Sequence, residues 1–306
     1  MATARARFRR PPAFPLAPPT WPGGVPRPPV EHTLGVDYDS DWARSAAARA
    51  ARAVVQEVVA APVLRAVTSP TVRGLDRIAH LDEPVIFAAN HASHLDAPLL
   101  VSVIPPRWRH ELFVAGAADY FFDTRLKAAA FSFLLNAVPV ERQRVSRLSA
   151  RRVAELLEDG WSMLIFPEGG RSPDGWGQPH RAGAAWMAVR TGRPIVPVHV
   201  EGTRRILAKG SRSIRPGRTQ VTFGRPLRPA VGADARALAS QVEAAIAALA
   251  DEVENDWYTA RRRAAAGSTP SLTGPEGSSW RRAWALGDPG RADRRRRRGE
   301  RWPWKS

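Results

Sequence analysis

The sequence predicts an α/β fold: a central mixed sheet flanked by helices, forming a single domain with an N-terminal amphipathic helix and disordered ends. Three observations predict it. Short apolar runs such as PVIFAA (84–89), SMLIF (162–166) and PIVPVHV (194–200) have the length of buried strands. Amphipathic stretches at helical spacing lie between them, and that alternation builds a layered α/β domain. Both periods fade at the ends, in a Pro- and Arg-rich segment over 1–34 and a Gly-, Ser-, Pro- and Arg-containing segment over 263–306.

In chain order, residues 1–34 read as a disordered or extended arm. An Ala-rich segment with Val and Leu at helical spacing predicts an amphipathic helix over about 41–66, with Ser40 or Asp41 to cap it. It forms most of a helical segment, 35–69, that precedes the main domain, 70–262. There the strand at 84–89 is followed by a helix near 97–104 and another near 122–135. A short strand, AVPVER, covers 137–142, and a helix covers 145–159. After the strand at 162–166 come a helix over 181–191, strands at 194–200 and 219–223, and a last helix over 233–254. Residues 263–306 read as a basic disordered tail.

Bulk composition narrows the chemistry. The 306 residues contain no cysteine, which removes disulfides, thiolate catalysis and cysteine-based metal sites. The net charge is +17, and the two terminal segments carry much of it. A basic surface attracts phosphate, whether on nucleic acid or on anionic lipid. Arg outnumbers Lys 43 to 3, as a GC-rich genome would produce, so charge alone names no partner. No run of about 18 apolar residues is present, so no spanning helix is expected.

NHASHLD, residues 90–96, lies between a strand and a helix, at the sheet edge where α/β folds place their chemistry. By itself it supports three readings. Asn90 and Asp96 can cap backbone groups. His91, His94 and Asp96 can bind a metal. His91 and Asp96 can form a proton-transfer pair, the carboxylate fixing the tautomer of the imidazole. FPEGGRSPDG, residues 166–175, brings a Pro and two Gly into a tight turn where backbone N–H groups can approach an anion. Arg171 adds a bidentate phosphate donor, and Glu168 can orient that Arg or a hydroxyl. Arg142, just past the strand of VPVER, is a further phosphate ligand by position.

Taken together, these blocks resemble the glycerolipid acyltransferases, the 1-acyl-glycerol-3-phosphate and glycerol-3-phosphate acyltransferases. NHASHLD, PVER, FPEGGRS and PIVPVHVEG match the four family blocks in order, over about residues 70 to 230. The resemblance implies transfer of a fatty acyl group from acyl-CoA or acyl carrier protein to a lysophospholipid or glycerol phosphate, without cofactor or metal. His91 would be the general base and Asp96 its orienting partner. Arg142, Glu168, Gly169 and Arg171 would form the acceptor phosphate site. Asn90, Ser93, Gly170 and Ser172 would support it, and Pro197 would belong to a strand beside the acyl or thioester channel.

The chain departs from the family where Gly170 replaces the usual Thr and His94 occupies a variable position. No Gly-x-Ser-x-Gly elbow is present, so a covalent acyl-enzyme has no obvious nucleophile. The implied location is cytoplasmic and peripheral, on the inner face of the cell membrane. Arg294–Arg298, Trp302 and Trp304 are candidate contacts to anionic headgroups there. Specific nucleic-acid binding is not expected, since no sequence-specific binding motif is present. Two rival functions, a basic nucleic-acid-binding protein and a metal-dependent hydrolase, stay open on the sequence.

Overall fold

Seven short strands form one sheet in the computed structural model, in the order β1-β7-β6-β2-β5-β3-β4. The strands are β1 (Pro70–Arg73), β2 (Ile86–Ala89), β3 (Leu112–Ala117), β4 (Ala137–Val140), β5 (Ser162–Ile165), β6 (Ile195–Glu201) and β7 (Thr219–Phe223). Only β6 and β7 pair antiparallel, so the sheet is mixed as expected. The structure describes residues 35–141, 147–208 and 213–274. The arm at 1–34, Arg142 and the residues from 275 onward lie outside the described residues.

The predicted N-terminal helix is present but composite. A single 3-10 turn, Asp41–Arg44, precedes α1 (Ala46–Val55). The cap of α1 is Ser45, whose hydroxyl accepts from the Ala48 amide, rather than Ser40 or Asp41. Gln56–Ala60 form a π-helical segment that leads into α2 (Ala61–Thr68), which ends at left-handed Ser69. Beyond β2 lie α3 (Asp96–Val103) and the single turn α4 (Pro106–Arg109). Another single turn, α5 (Ala118–Phe121), follows β3, and α6 (Arg125–Leu135) leads into β4. α7 (Arg147–Glu158), α8 (Gly183–Thr191), the turn α9 (Thr203–Ile206), α10 (Ala235–Glu254) and α11 (Trp257–Ala265) complete the α-helices among the described residues.

Alternation along the strands assigns the two layers. Ile86 and Ala88 of β2 face a core shared with Val153 and Leu157 of α7, Ala184 and Ala188 of α8, and Val242 and Ile246 of α10. Phe87 and Ala89 face the opposite core, with Leu99 and Leu100 of α3 and Trp108 of α4. Phe87 is fully buried and meets Trp108 and Phe223 edge-on, at centroid distances of 5.6 and 6.1 Å.

Three elements differ from the sequence expectation. β1 is an edge strand with alternating exposure, and β3 carries the strand-poor run Ala-Gly-Ala, so neither announces itself by pattern. Both are strands because a neighbour supplies the hydrogen-bonding edge. Residues 263–274, expected within the tail, make defined contacts. α11 runs to Ala265, the Leu272 carbonyl accepts from the Gly177 amide at 2.8 Å, and Leu272 packs on the α7/α8/α10 core. Isolated apolar contacts of this kind leave no periodic trace.

Candidate active site

β2, β3, β4 and β5 are mutually parallel, so their C-terminal ends open on one edge of the sheet. NHASHLD leaves β2 there and FPEGGRS leaves β5. The polypeptide turns sharply at Ser93, and Asp96 opens α3 with its side chain directed back into the turn. Asp96 Oδ2 accepts from His91 Nδ1 at 2.9 Å and from the Ala92 and Ser93 amides at 2.7 and 2.8 Å. Its Oδ1 accepts from the Thr203 hydroxyl at 2.5 Å. These four donors satisfy a carboxylate with no solvent exposure, where an unpaired charge would be costly. With Nδ1–H committed to Asp96, the His91 ring keeps Nε2 as its acceptor. The ring stacks on Phe166 at 4.0 Å.

The two loops are tied through their backbones. Glu168 is buried and accepts from the His91 amide at 2.8 Å and the Gln178 amide at 2.9 Å. Burial pushes its carboxyl up to about 7, against the lowering effect of those two bonds. The Ser172 amide donates to the His91 carbonyl at 2.9 Å, and the Ser172 hydroxyl accepts from the Gly175 amide. Asn90 makes a two-way bridge to the Val200 backbone, extending the β2/β6 pairing past the strand end. The Ser93 hydroxyl donates to the Leu207 carbonyl. Asn90, Ser93, Glu168 and Ser172 therefore fix the backbone around His91.

His91 forms part of the wall of two cavities. One is a cleft of about 540 Å³ lined by Gly169, Gly170, Arg171 and Arg181 on one side and by Ala115–Ala117 and Tyr120 on the other. The second, about 620 Å³, is apolar, with walls from Leu64, Ala97, Val101, Phe121, Phe131, Leu134 and Phe166. Tyr120 and Phe121 border both. Gly169 has a φ of +71°, and a Cβ there would come within 2.8 Å of Arg181 Nε, so glycine answers both the backbone and the packing. His94 does not converge with His91 and Asp96. It stacks on Tyr120, and burial followed by the nearby Arg171 charge lowers its pKa to about 4.

Residues 69–201 match the acyltransferase family model. The sequence is 31% identical over 159 residues to the chloroplastic 1-acyl-sn-glycerol-3-phosphate acyltransferase BAT2 of Brassica napus, covering 51% of this chain and 44% of that one. It is 30% identical over 183 residues to LPAT1 of Arabidopsis thaliana, a chloroplastic protein of the same name, covering 59% and 49%. The chain thus spans about half the length of these curated relatives. These matches support the glycerolipid acyltransferase family for residues 69–201. The fold agrees with the crystal structure of the 1-acyl-sn-glycerophosphate (LPA) acyltransferase PlsC from Thermotoga maritima, at a TM-score of 0.54 and 24% identity, over 72% of this chain and 88% of that one.

Two residues singled out from the sequence have defined places in the fold. Glu168, expected among the phosphate ligands, turns inward and commits both oxygens to backbone amides. Pro197, expected on a strand beside the acyl or thioester channel, lies on β6 and is not among the residues lining these two cavities. It pairs with Ala88 in mid-sheet, and its carbonyl accepts from the Gly224 amide. Arg142 lies outside the described residues. Two residues were missed. Arg181 reaches the cleft ten positions after Arg171, in a stretch with no motif, and Thr203 reaches Asp96 from after β6. Only the folded sheet brings either of them to His91.

Proposed function

We propose that this chain transfers a fatty acyl group from an acyl thioester to a hydroxyl of a 1-acyl-glycerol 3-phosphate acceptor. One observation carries the reading. The His91 ring, bonded to Asp96, is a wall shared by an arginine-bearing cleft and an apolar cavity. Such a junction suits a substrate with a phosphate at one end and an acyl chain at the other. The names of the relatives favour the same acceptor.

In this reaction His91 Nε2 removes the proton of the acceptor hydroxyl while Asp96 holds the ring and offsets its positive charge. The acceptor oxygen attacks the thioester carbonyl, the carbon–sulfur bond breaks, and the thiolate takes the proton from the imidazolium. No bond to the protein forms. Arg171 and Arg181 anchor the phosphate, and anchoring brings the hydroxyl within about 3 Å of the imidazole. The donor is acyl-CoA or acyl carrier protein.

The reading includes a peripheral membrane location. Among the described residues, no helix is long and apolar enough to cross a membrane. Val54, Val58, Val59 and Val63, along α1, the π-helical segment and α2, are exposed, as are Leu126 and Leu134 of α6. α1 packs on α6, so these side chains suit shallow insertion into an anionic leaflet.

The test is product formation from lysophosphatidate with acyl-CoA, and separately with acyl carrier protein, comparing the parent with His91→Ala. Loss of phosphatidate in the variant is expected. Equal turnover would end the proposal.

A further inference from the structure

Tyr120 stands out because the fold has little need of it. It is 42% exposed at the end of α5, so its burial adds little to the core. Yet directed contacts hold its ring. Its hydroxyl lies 2.9 Å from His94 Nε2, and its ring stacks on the His94 ring at 5.3 Å and 23°. Phe121 meets it edge-on at 5.0 Å and is itself pinned by Phe131 at 4.5 Å. The Arg171 guanidinium carbon lies 5.5 Å from the Tyr120 ring centroid.

These contacts bridge elements far apart in sequence. β3 and β5 are adjacent and parallel, so α5 at the end of β3 stands beside the loop that carries Arg171. His94 belongs to the turn between His91 and Asp96. Tyr120 thus connects the turn of the His–Asp pair to the arginine of the other loop, at the border of the two cavities.

We propose that Tyr120 is a positioning residue for the acceptor phosphate: anchored through its hydroxyl by His94, its ring holds the Arg171 guanidinium on the cleft side of His91. This rests on the acyltransferase reading above. At this distance the ring contact is a cation–π one that leaves guanidinium N–H groups for a phosphate, so both contacts can coexist. His94 remains neutral at physiological pH because burial and the Arg171 charge oppose protonation. With its proton on Nδ1, neutral His94 accepts a hydrogen bond from the phenol at Nε2, whereas a charged ring would repel Arg171 and offer a donor there. The ring also separates the arginine-bearing cleft from the apolar cavity, which favours one orientation of an amphipathic acceptor.

Calorimetric titration of the full chain with short-chain lysophosphatidate, and with monoacylglycerol as the phosphate-free control, tests this. The variants are Tyr120→Phe, Tyr120→Leu, Arg171→Leu and the Tyr120→Leu/Arg171→Leu double variant. Tyr120→Leu is expected to raise Kd for lysophosphatidate by about two- to thirtyfold, the range of a cation–π contact, and to raise Kd for monoacylglycerol distinctly less. Tyr120→Phe, which keeps the ring and loses its hydroxyl anchor, should fall between Tyr120→Leu and the parent. In the Arg171→Leu background the Leu substitution should add nothing. Equal lysophosphatidate affinity in Tyr120→Leu and parent overturns the proposal, as does an equal loss toward both ligands or an undiminished loss without Arg171. Adding acyl-CoA to the same samples separates the two claims. Binding by the parent without product counts against acyl transfer, and an unchanged Kd in Tyr120→Leu counts against Tyr120.

Discussion

Asp96 accepts four hydrogen bonds, from the His91 ring, two backbone amides and the Thr203 hydroxyl. Asn would replace one acceptor oxygen by a donor aimed at groups that also donate, and the His91 tautomer would no longer be dictated. Asp96→Asn is expected to lower kcat for lysophosphatidate acylation by about 10²–10⁴. A rate within twofold of the parent would dismiss the His–Asp pair. At Gly169 the constraint is steric. Gly169→Ala forces a side chain into a φ of +71° and against Arg181, at a cost of about 1–3 kcal/mol, read from the urea midpoint. The His91–Asp96 pair was legible because a five-residue turn keeps it local. The contacts of Glu168 and Thr203 with this turn were not, since they come from 77 and 107 positions away.

At the scale of elements, the two site loops carry groups whose titrations oppose each other. Glu168 titrates near 7, raised from 4.5 by burial, so the native state keeps a proton the unfolded chain has released. Its contribution to stability falls as pH rises between those values. His94 titrates near 4, lowered from 6.5 by burial, so the unfolded chain protonates first. Its contribution rises with pH between those values. The two slopes oppose each other between pH 4.5 and 6.5. Glu168→Gln should make the unfolding midpoint climb more steeply with pH across that window, and His94→Leu should make it fall. Identical pH profiles in parent and variants would refute both assignments.

The composite N-terminal helix supplies a second element-scale test. Val58 is 68% exposed and Val63 56% exposed. Val58→Asp/Val63→Asp should reduce co-flotation with anionic vesicles by about tenfold or more, since each insertion forgoes apolar burial and adds a charge. Unchanged flotation would remove this face from the membrane reading. Helical spacing in the sequence revealed the helix. Which of its apolar residues stay uncovered depended on where α6 and α3 pack.

Across the whole molecule, the sheet separates two cores, and Phe87 fills the one beneath α3 and α4. Phe87→Ala is expected to cost about 3–5 kcal/mol, measured by denaturant unfolding, because the rings of Trp108 and Phe223 cannot close the void. The mixed α/β architecture, most of its helices and five of its seven strands were readable from apolar period and length. β1 and β3 were not, because their residues suit a strand only beside a partner strand. The sequence by itself determined what acts locally: the alternation of elements, the turn joining His91 to Asp96, and the glycine loop that carries Arg171. Tertiary structure alone decided that Glu168 braces the His91 backbone, that Arg181 shares the cleft with Arg171, and that Tyr120 borders both cavities. The reason is physical: parallel strands distant in sequence bring their ends to one edge of the sheet, and no period along the chain records which side chains meet there.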